Sequence, residues 1–322
     1  MTKKILLLSG DPNSINTEII YKSWVKLNKV TRKKLIIIGS YKLLASQFKK
    51  LNYRINLNVI NNINSIYRNS SMNILDVPVK FKNSFKVNFN DNSKYIIECF
   101  KLAHKLAQLK LVKGIINCPI DKKLLGTNNK FGVTEYLARK CNINDKSELM
   151  LIYNKNLSVA PITTHIDIGK VSKKLNFRLI IKKALTLNRG YRRLFRKTPK
   201  IGILGLNPHN GELRKNSEEV KFIIPAINRL KKKNIKISGP FSADTIFIND
   251  YKKFDVVLGM YHDQVLAPFK TLFKYDAFNL TLGLKYIRVS PDHGTAQSLV
   301  KKNKANYLSL TKCINFINNL KL

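Results

Sequence analysis

Phe254-Asp255-Val256-Val257-Leu258-Gly259-Met260-Tyr261-His262-Asp263-Gln264 is an apolar run of strand length that ends in a histidine and two further polar side chains. The same arrangement occurs twice upstream. Ile201-Gly202-Ile203-Leu204-Gly205-Leu206-Asn207-Pro208 leads into His209, and Leu157-Ser158-Val159-Ala160-Pro161-Ile162-Thr163-Thr164 leads into His165. The chain holds five histidines, so three of them share one structural context. In an open parallel sheet, ligands bind at the carboxyl ends of the strands. Imidazoles on that rim can converge from distant parts of the sequence and hold a divalent cation with open positions.

Outward from these three runs, strand-like segments alternate with helical ones. Residues 4–9, 34–38, 55–60, 114–119, 149–153 and 235–238 read as strands. Residues 17–28, 41–51, 93–112, 168–188 and 217–232 read as helices. In the third of these, Ile96, Ile97, Phe100, Ala103, Leu106 and Ala107 share one face. The alternation predicts parallel βαβ units with helices on both faces of the sheet. Residues 56–73 and 82–93 are rich in Asn and Ser and read as loops or a peripheral hairpin. The expected division is a first lobe of residues 1–132, rejoined by residues from about 297 to 322, and a second lobe, 133–296, carrying the histidines.

A chain of 322 residues with 44% apolar content can bury a large core. No apolar run reaches the ~18 residues of a membrane span, and the opening run is too short for a signal peptide. Cys99, Cys118, Cys141 and Cys313 lack metal or redox spacing, which points to reduced thiols and a cytoplasmic protein. The net charge of +40 raises the question of nucleic acid. Lysine is spread along the whole chain, together with abundant asparagine and isoleucine. All three share A/T-rich codons, so base bias accounts for the charge better than a nucleic-acid surface. The densest basic stretch, residues 189–197, is the one place to look for a phosphate contact.

In Asn207-Pro208-His209-Asn210-Gly211-Glu212, Pro208 fixes the backbone and Gly211 allows a tight turn. In Tyr261-His262-Asp263-Gln264, Asp263 can orient an imidazole or cap a helix. Asp292-His293-Gly294-Thr295-Ala296 reads as a turn into a helix start, with backbone N–H groups open to an anion. His104 falls inside a helical pattern and reads as structural. No G-x-G-x-x-G is present, so the standard dinucleotide loop is missing.

Together these segments resemble the 4-hydroxythreonine-4-phosphate dehydrogenase family of vitamin B6 biosynthesis. The matching pieces are Gly10-Asp11-Pro12, Thr163-Thr164-His165, Gly205-Leu206-Asn207-Pro208-His209, Gly239-Pro240 with Ala243-Asp244-Thr245, Met260-Tyr261-His262-Asp263-Gln264, and Asp292-His293-Gly294-Thr295-Ala296. The resemblance implies an α/β fold of two αβα-sandwich lobes, isocitrate- or isopropylmalate-dehydrogenase-like, with a cleft between them. It implies a homodimer with a shared active site. A divalent metal (Zn, Co or Mg) would be held by His165, His209 and His262. Thr134, Lys270, Asn279 and Arg288 would contact a phosphorylated amino-acid substrate. NAD or NADP would bind on the side of Asp292, His293, Gly294 and Thr295, without the missing loop. The reaction implied is oxidation of 4-phosphooxy-L-threonine followed by decarboxylation, with Asp244 and Asp263 as candidate proton acceptors.

This chain departs from the family pattern in four places. A glycine-rich loop usually follows Gly10-Asp11-Pro12, and here residues 13–18 read Asn-Ser-Ile-Asn-Thr-Glu. Val133 stands where a histidine is usual, Val265 replaces a glycine, and Leu213-Arg214 replace glycines. The expectation is an active enzyme with weakened substrate contacts. The alternatives are a related dehydrogenase of another phosphorylated hydroxy acid, or a basic nucleic-acid-binding protein that has lost catalysis.

Overall fold

The computed structural model describes residues 3–64, 70–126 and 132–321. Its strands are β1 (Lys4–Leu8), β2 (Leu35–Gly39), β3 (Asn56–Ile60), β4 (Ser71–Asp76), β5 (Val112–Asn117), β6 (Leu149–Tyr153), β7 (Ser158–Thr163), β8 (Ile201–Leu204), β9 (Ile237–Phe241), β10 (Val256–Tyr261), β11 (Phe278–Leu282) and β12 (Arg288–Pro291). They fall in two compact units, Met1–Tyr136 with Lys285–Leu322, and Leu137–Leu284. The fold class is α/β. No described helix is long and apolar enough to cross a membrane.

In the first unit the strand order is β3-β4-β2-β1-β5-β12. Every pairing is parallel. Ile5, Leu6, Leu7 and Leu8 are each at most 1% exposed, so both faces of the sheet are covered. Helix Phe89–Gln108 packs on β1 and β5, and Asn88 caps it by accepting from the Asp91 amide at 3.0 Å. The final helix, Leu308–Asn319, packs on β5 and β12. The Asn-rich stretch from residue 56 to 73 is no hairpin: β3 and β4 lie side by side in parallel. Residues 65–69 of that stretch lie outside the described residues. Because β12 pairs with β5, the chain rejoins this unit at Lys285, earlier than residue 297.

The second unit orders its strands β11-β6-β7-β10-β8-β9. β7, β10, β8 and β9 are parallel, as their spacing predicts. β6 runs antiparallel to both its neighbours, which corrects the all-parallel expectation. The cause is the short connection from Tyr153 to Ser158, which turns the chain back as a hairpin and leaves no room for a crossover helix. Strand alternation separates the two faces. Ile152, Val159 and Val257 share a cluster with Phe269 of helix His262–Phe273. On the opposite face, Gly190 of helix Phe177–Phe195 packs against Leu282; an added Cβ would meet that side chain at 2.9 Å. The helical pattern of residues 168–188 is broken into a short turn, Val171–Lys174, and this long helix capped by Asn176.

Candidate active site

The carboxyl tips of β7, β10 and β8 are consecutive in the second unit, and each leads to one of the three histidines. Tyr261 pairs with Thr163, so β7 and β10 end at one level. The tips are cross-tied. Thr163 Oγ1 donates to the Met260 carbonyl at 2.7 Å. Gln264 accepts from the Met260 amide at 2.7 Å, and its Nε2 donates to the Gly205 carbonyl beyond β8 at 2.7 Å. These bonds fix the relative heights of three strands that lie far apart in sequence.

His262 is the first residue of its helix, and its ring centroid lies 6.0 Å from that of His165. His262 Nδ1 is 2.6 Å from Asp263 Oδ1. An ionised carboxylate only accepts, so Nδ1–H is the donor and Nε2 is left for a ligand. Asp263 caps nothing in the helix and serves the imidazole instead.

His209 sits in a left-handed turn. His209, Asn210, Gly211, Glu212 and Leu213 have φ of 49, 57, 58, 50 and 53°. A run of non-glycine residues in this region is costly and persists only when its surroundings hold it. The holding group is Glu219, fully buried at 0% exposure. Its carboxylate accepts from the Leu206 amide at 2.7 Å, the Asn207 amide at 2.8 Å and Asn207 Nδ2 at 3.0 Å. Burial works against ionisation of this group. The backbone and side-chain hydrogen bonds from Asn207 and the amide of Leu206 outweigh it and hold the pKa below the ordinary glutamate value. Glu219 begins a short π-helical turn, Glu219–Ile223. Asn210 Nδ2 ties the turn to the Pro240 carbonyl of β9 at 3.2 Å. Asp244 follows β9 on the same rim and is exposed.

Two imidazoles around one cation can stand at most roughly 6–7 Å apart between centroids, given metal–nitrogen bonds of about 2.1 Å. The His165–His262 pair lies inside that limit. Among the described residues no group of three His, Cys, Asp or Glu side chains is close enough to hold a metal, so His209 does not complete the pair as it stands.

Lys270 lies on the His262 helix eight residues on, on the same face at i+4 spacing and about 12 Å along the axis. Asn279, on β11, pairs with Ile152, which pairs with Val159, which pairs with Val257. That row is four residues short of Tyr261, about 13 Å down the strands from the histidine rim. The second unit therefore gathers His165 and His262, sets His209 and Asp244 on the neighbouring strand tips, and keeps Asn279 away from them. The Asn279 Oδ1 is buried with no hydrogen-bond partner among the described residues.

The remaining predicted residues lie in the first unit. Arg288, 2% exposed, donates through Nε to Asn117 Oδ1 at 2.7 Å and through a terminal nitrogen to Thr134 Oγ1 at 3.3 Å. Burial lowers its pKa to about 10, against the opposing fields of Cys313 and Glu135, so it remains a cation at neutral pH. Asn117 ends β5 and Thr134 lies in the first turn of helix Val133–Lys140.

Asp292–Thr295 follows β12 and meets the loop after β1, where the Ile15 amide donates to the Thr295 carbonyl at 3.2 Å. That loop lies where the strand order reverses between β1 and β5, the usual place for a nucleotide. It is well braced although no glycine follows Pro12: Asp11 Oδ1 accepts from Asn13 N at 2.9 Å and Asn92 Nδ2 at 2.8 Å. A cavity of about 460 Å³ opens beside it, lined in part by Asn13, Phe85, Gln297 and Lys301. The space beside Gly294 is open. The helix start expected at residues 294–296 is only the 3₁₀ turn Gln297–Leu299; the helix end at this loop is instead that of Asn16–Lys26, whose N-cap Ile15 makes the bond to Thr295.

The family described as pyridoxal phosphate biosynthetic protein PdxA matches residues 31–317. The 4-hydroxythreonine-4-phosphate dehydrogenase of Sulfurihydrogenibium sp. is 36% identical, covering 97% of this chain and 96% of its own. The D-threonate 4-phosphate dehydrogenase of Pectobacterium atrosepticum is 31% identical, with 95% of each covered. A crystal structure of 4-hydroxythreonine-4-phosphate dehydrogenase from Klebsiella pneumoniae superposes with a TM-score of 0.84 at 28% identity, covering 98% of this chain and 99% of that one. An isocitrate dehydrogenase from Methylococcus capsulatus shares the fold, with a TM-score of 0.51 at 10% identity over 98% of this chain and 85% of that one.

Proposed function

Because this chain belongs to the pyridoxal phosphate biosynthetic protein PdxA family, we propose that it is a nicotinamide-dependent dehydrogenase that oxidises 4-phosphooxy-L-threonine. The product, 2-amino-3-oxo-4-phosphooxybutanoate, decarboxylates to 3-amino-2-oxopropyl phosphate. The observation that carries the reading beyond family membership is the set of three histidines on consecutive, cross-tied strand tips.

His165, His209 and His262 would hold one divalent cation, with neutral imidazoles favouring Zn²⁺ or Co²⁺ over Mg²⁺. Such a cation lowers the pKa of a bound hydroxyl and stabilises negative charge on oxygen during hydride loss and decarboxylation. The chain's own residues do the rest. Asp263 fixes the tautomer of His262. Glu219 sets the turn from which His209 projects. Lys270 and Arg288 neutralise phosphate and carboxylate, with Thr134 and Asn279 as polar contacts. Asp244 and Asp263 are the candidate acceptors for the hydroxyl proton. NAD or NADP would lie along residues 292–295, beside the 460 Å³ cavity. A homodimer would share the site between two copies.

A specific observation favours keeping a second substrate in view. A relative of comparable identity is named for D-threonate 4-phosphate, and Val133 stands beside Thr134 where the family pattern has histidine. The test is NADH formation with the two substrates in parallel, with and without added Co²⁺ or Zn²⁺. Metal-dependent turnover of 4-phosphooxy-L-threonine is expected to be the faster. Faster turnover of D-threonate 4-phosphate would reassign the substrate, and no NADH from either would overturn the reading.

A further inference from the structure

The basic stretch at residues 189–197 has no part in the site described so far, yet it lines a recess of its own. A cavity of about 200 Å³ in the second unit is bounded by Ser147, Thr186, Arg189, Gly190, Arg193, Gly283 and Leu284. We propose that this recess is a second anion site, built to take the phosphate group of a small molecule.

Arg189 and Arg193 are one helical turn apart on helix Phe177–Phe195, so their side chains rise from the same face. Like charges at this spacing repel. The usual relief is a carboxylate, and here there is none: neither guanidinium makes a hydrogen bond or an ion pair among the described residues. The two nearby acids are engaged elsewhere. Asp145 pairs with Lys182 at 3.5 Å and Glu148 with Lys183 at 4.0 Å. An oxyanion between the two arginines would supply the missing countercharge, in the fork geometry that guanidinium offers to phosphate.

The floor of the recess supports the same reading. Thr186 is 4% exposed, and its hydroxyl makes no hydrogen bond among the described residues. Gly283 adopts φ +96°, and a Cβ there would meet the Glu148 Cα and Thr186 Cγ2 at 3.2 Å. The backbone thus passes close to Thr186 without filling the space in front of it.

Size selects the ligand. Pockets for drug-sized ligands run from about 300 to 1,000 Å³, so 200 Å³ suits a phosphate with a short appendage, not a nucleotide. The charges line a recess, whereas a nucleic-acid backbone needs an extended stripe. The site is separate from the histidine rim. Its helix packs on the Leu282 face of the sheet, and the His262 helix packs on the other.

The experiment is calorimetric titration of the full chain with inorganic phosphate and, in a parallel arm, with glycerol 3-phosphate. Both are run in a Lys270→Ala background, so that one of the two cationic contacts proposed for catalysis is removed. The expected result is saturable binding that Arg189→Ala/Arg193→Ala weakens at least tenfold. Arg189→Lys/Arg193→Lys, which keeps the charge and loses the fork, is expected to weaken it less. Tighter binding of glycerol 3-phosphate would identify a phosphate monoester as the ligand class, and equal binding the free ion. Undiminished binding in the double alanine variant would overturn the proposal. So would non-saturable binding, or a single-stranded oligonucleotide that binds through the two arginines where phosphate does not.

Discussion

Replacing Glu219 with alanine should release the turn that presents His209. Four non-glycine residues of that turn have φ between 49 and 57°. At about 1–2 kcal/mol each, the left-handed conformation costs roughly 4–8 kcal/mol. Glu219 accepts three hydrogen bonds, from Leu206 N, Asn207 N and Asn207 Nδ2. Bonds to a charged acceptor contribute about 1.5–3 kcal/mol each, or roughly 4.5–9 kcal/mol in all. The two quantities are of equal size, so Glu219 offsets most of the cost of the turn, and the Asn210–Pro240 hydrogen bond adds to it. Glu219→Ala should lower the unfolding free energy by about 2–6 kcal/mol, the cost of leaving two amides unpaired. It should also raise amide hydrogen exchange selectively at residues 206–213. Denaturant unfolding and exchange mass spectrometry read the two effects. A loss under about 0.5 kcal/mol, typical of a neutral surface change, with unchanged exchange would refute the argument that Glu219 holds the turn.

The same carboxylate predicts a pH dependence. Its folded pKa is depressed, so its contribution is complete above the unfolded value of about 4.3 and is lost as pH falls through the lower folded value. The stability of Glu219→Gln should therefore fall less steeply in acid than that of the parent, as measured by denaturant midpoints from pH 6 to about pH 3. Asp263→Asn should weaken cation affinity by about 10–100-fold with the fold intact, because His262 loses its charged hydrogen-bond partner; competition with a chromogenic chelator measures it. Gly10→Ala should be strongly destabilising. At φ +74° the new Cβ would meet Asn16 Nδ2 at 2.4 Å and the Pro119 carbonyl at 2.7 Å, and the melting temperature should drop by several degrees.

The parts of the fold legible in the sequence are those whose burial is uniform. β1, β2, β7, β8 and β10 are largely apolar and buried on both faces, and the tips of β7, β8 and β10 mark the three histidines. β4 was hidden because Ser71, Asn73 and Asp76 interrupt its apolar pattern, although Ser71 and Asn73 are buried. Asn58 Nδ2 donates to Asn73 Oδ1 at 2.8 Å, a pairing that no local pattern announces. β12 is only four residues long and carries a buried arginine, so no strand pattern marks it. The direction of β6 depends on the length of one connection and not on composition.

At the site, the sequence marked the side chains that face outward and missed those that hold them. Glu219 falls inside the helical pattern of residues 217–232, which gives it no distinct mark. The available signal was the adjacent pair Glu218-Glu219 in a chain with 59 basic and 19 acidic residues. Asn117 had no signal: its role depends on β12 returning beside β5 to bring Arg288 within 2.7 Å. Gln264 is visible as a polar residue, but its bond to the Gly205 carbonyl follows from the β10–β8 neighbourhood alone.

The central claim is that His165, His209 and His262 serve one cation. Anomalous diffraction at the cobalt edge, from crystals grown with Co²⁺, tests it most directly. The account predicts one strong peak within about 2.0–2.2 Å of an imidazole nitrogen of each of the three residues, drawn from one chain or from two copies. Peaks confined to other residues, or a peak bonded to fewer than two of these histidines, would contradict it.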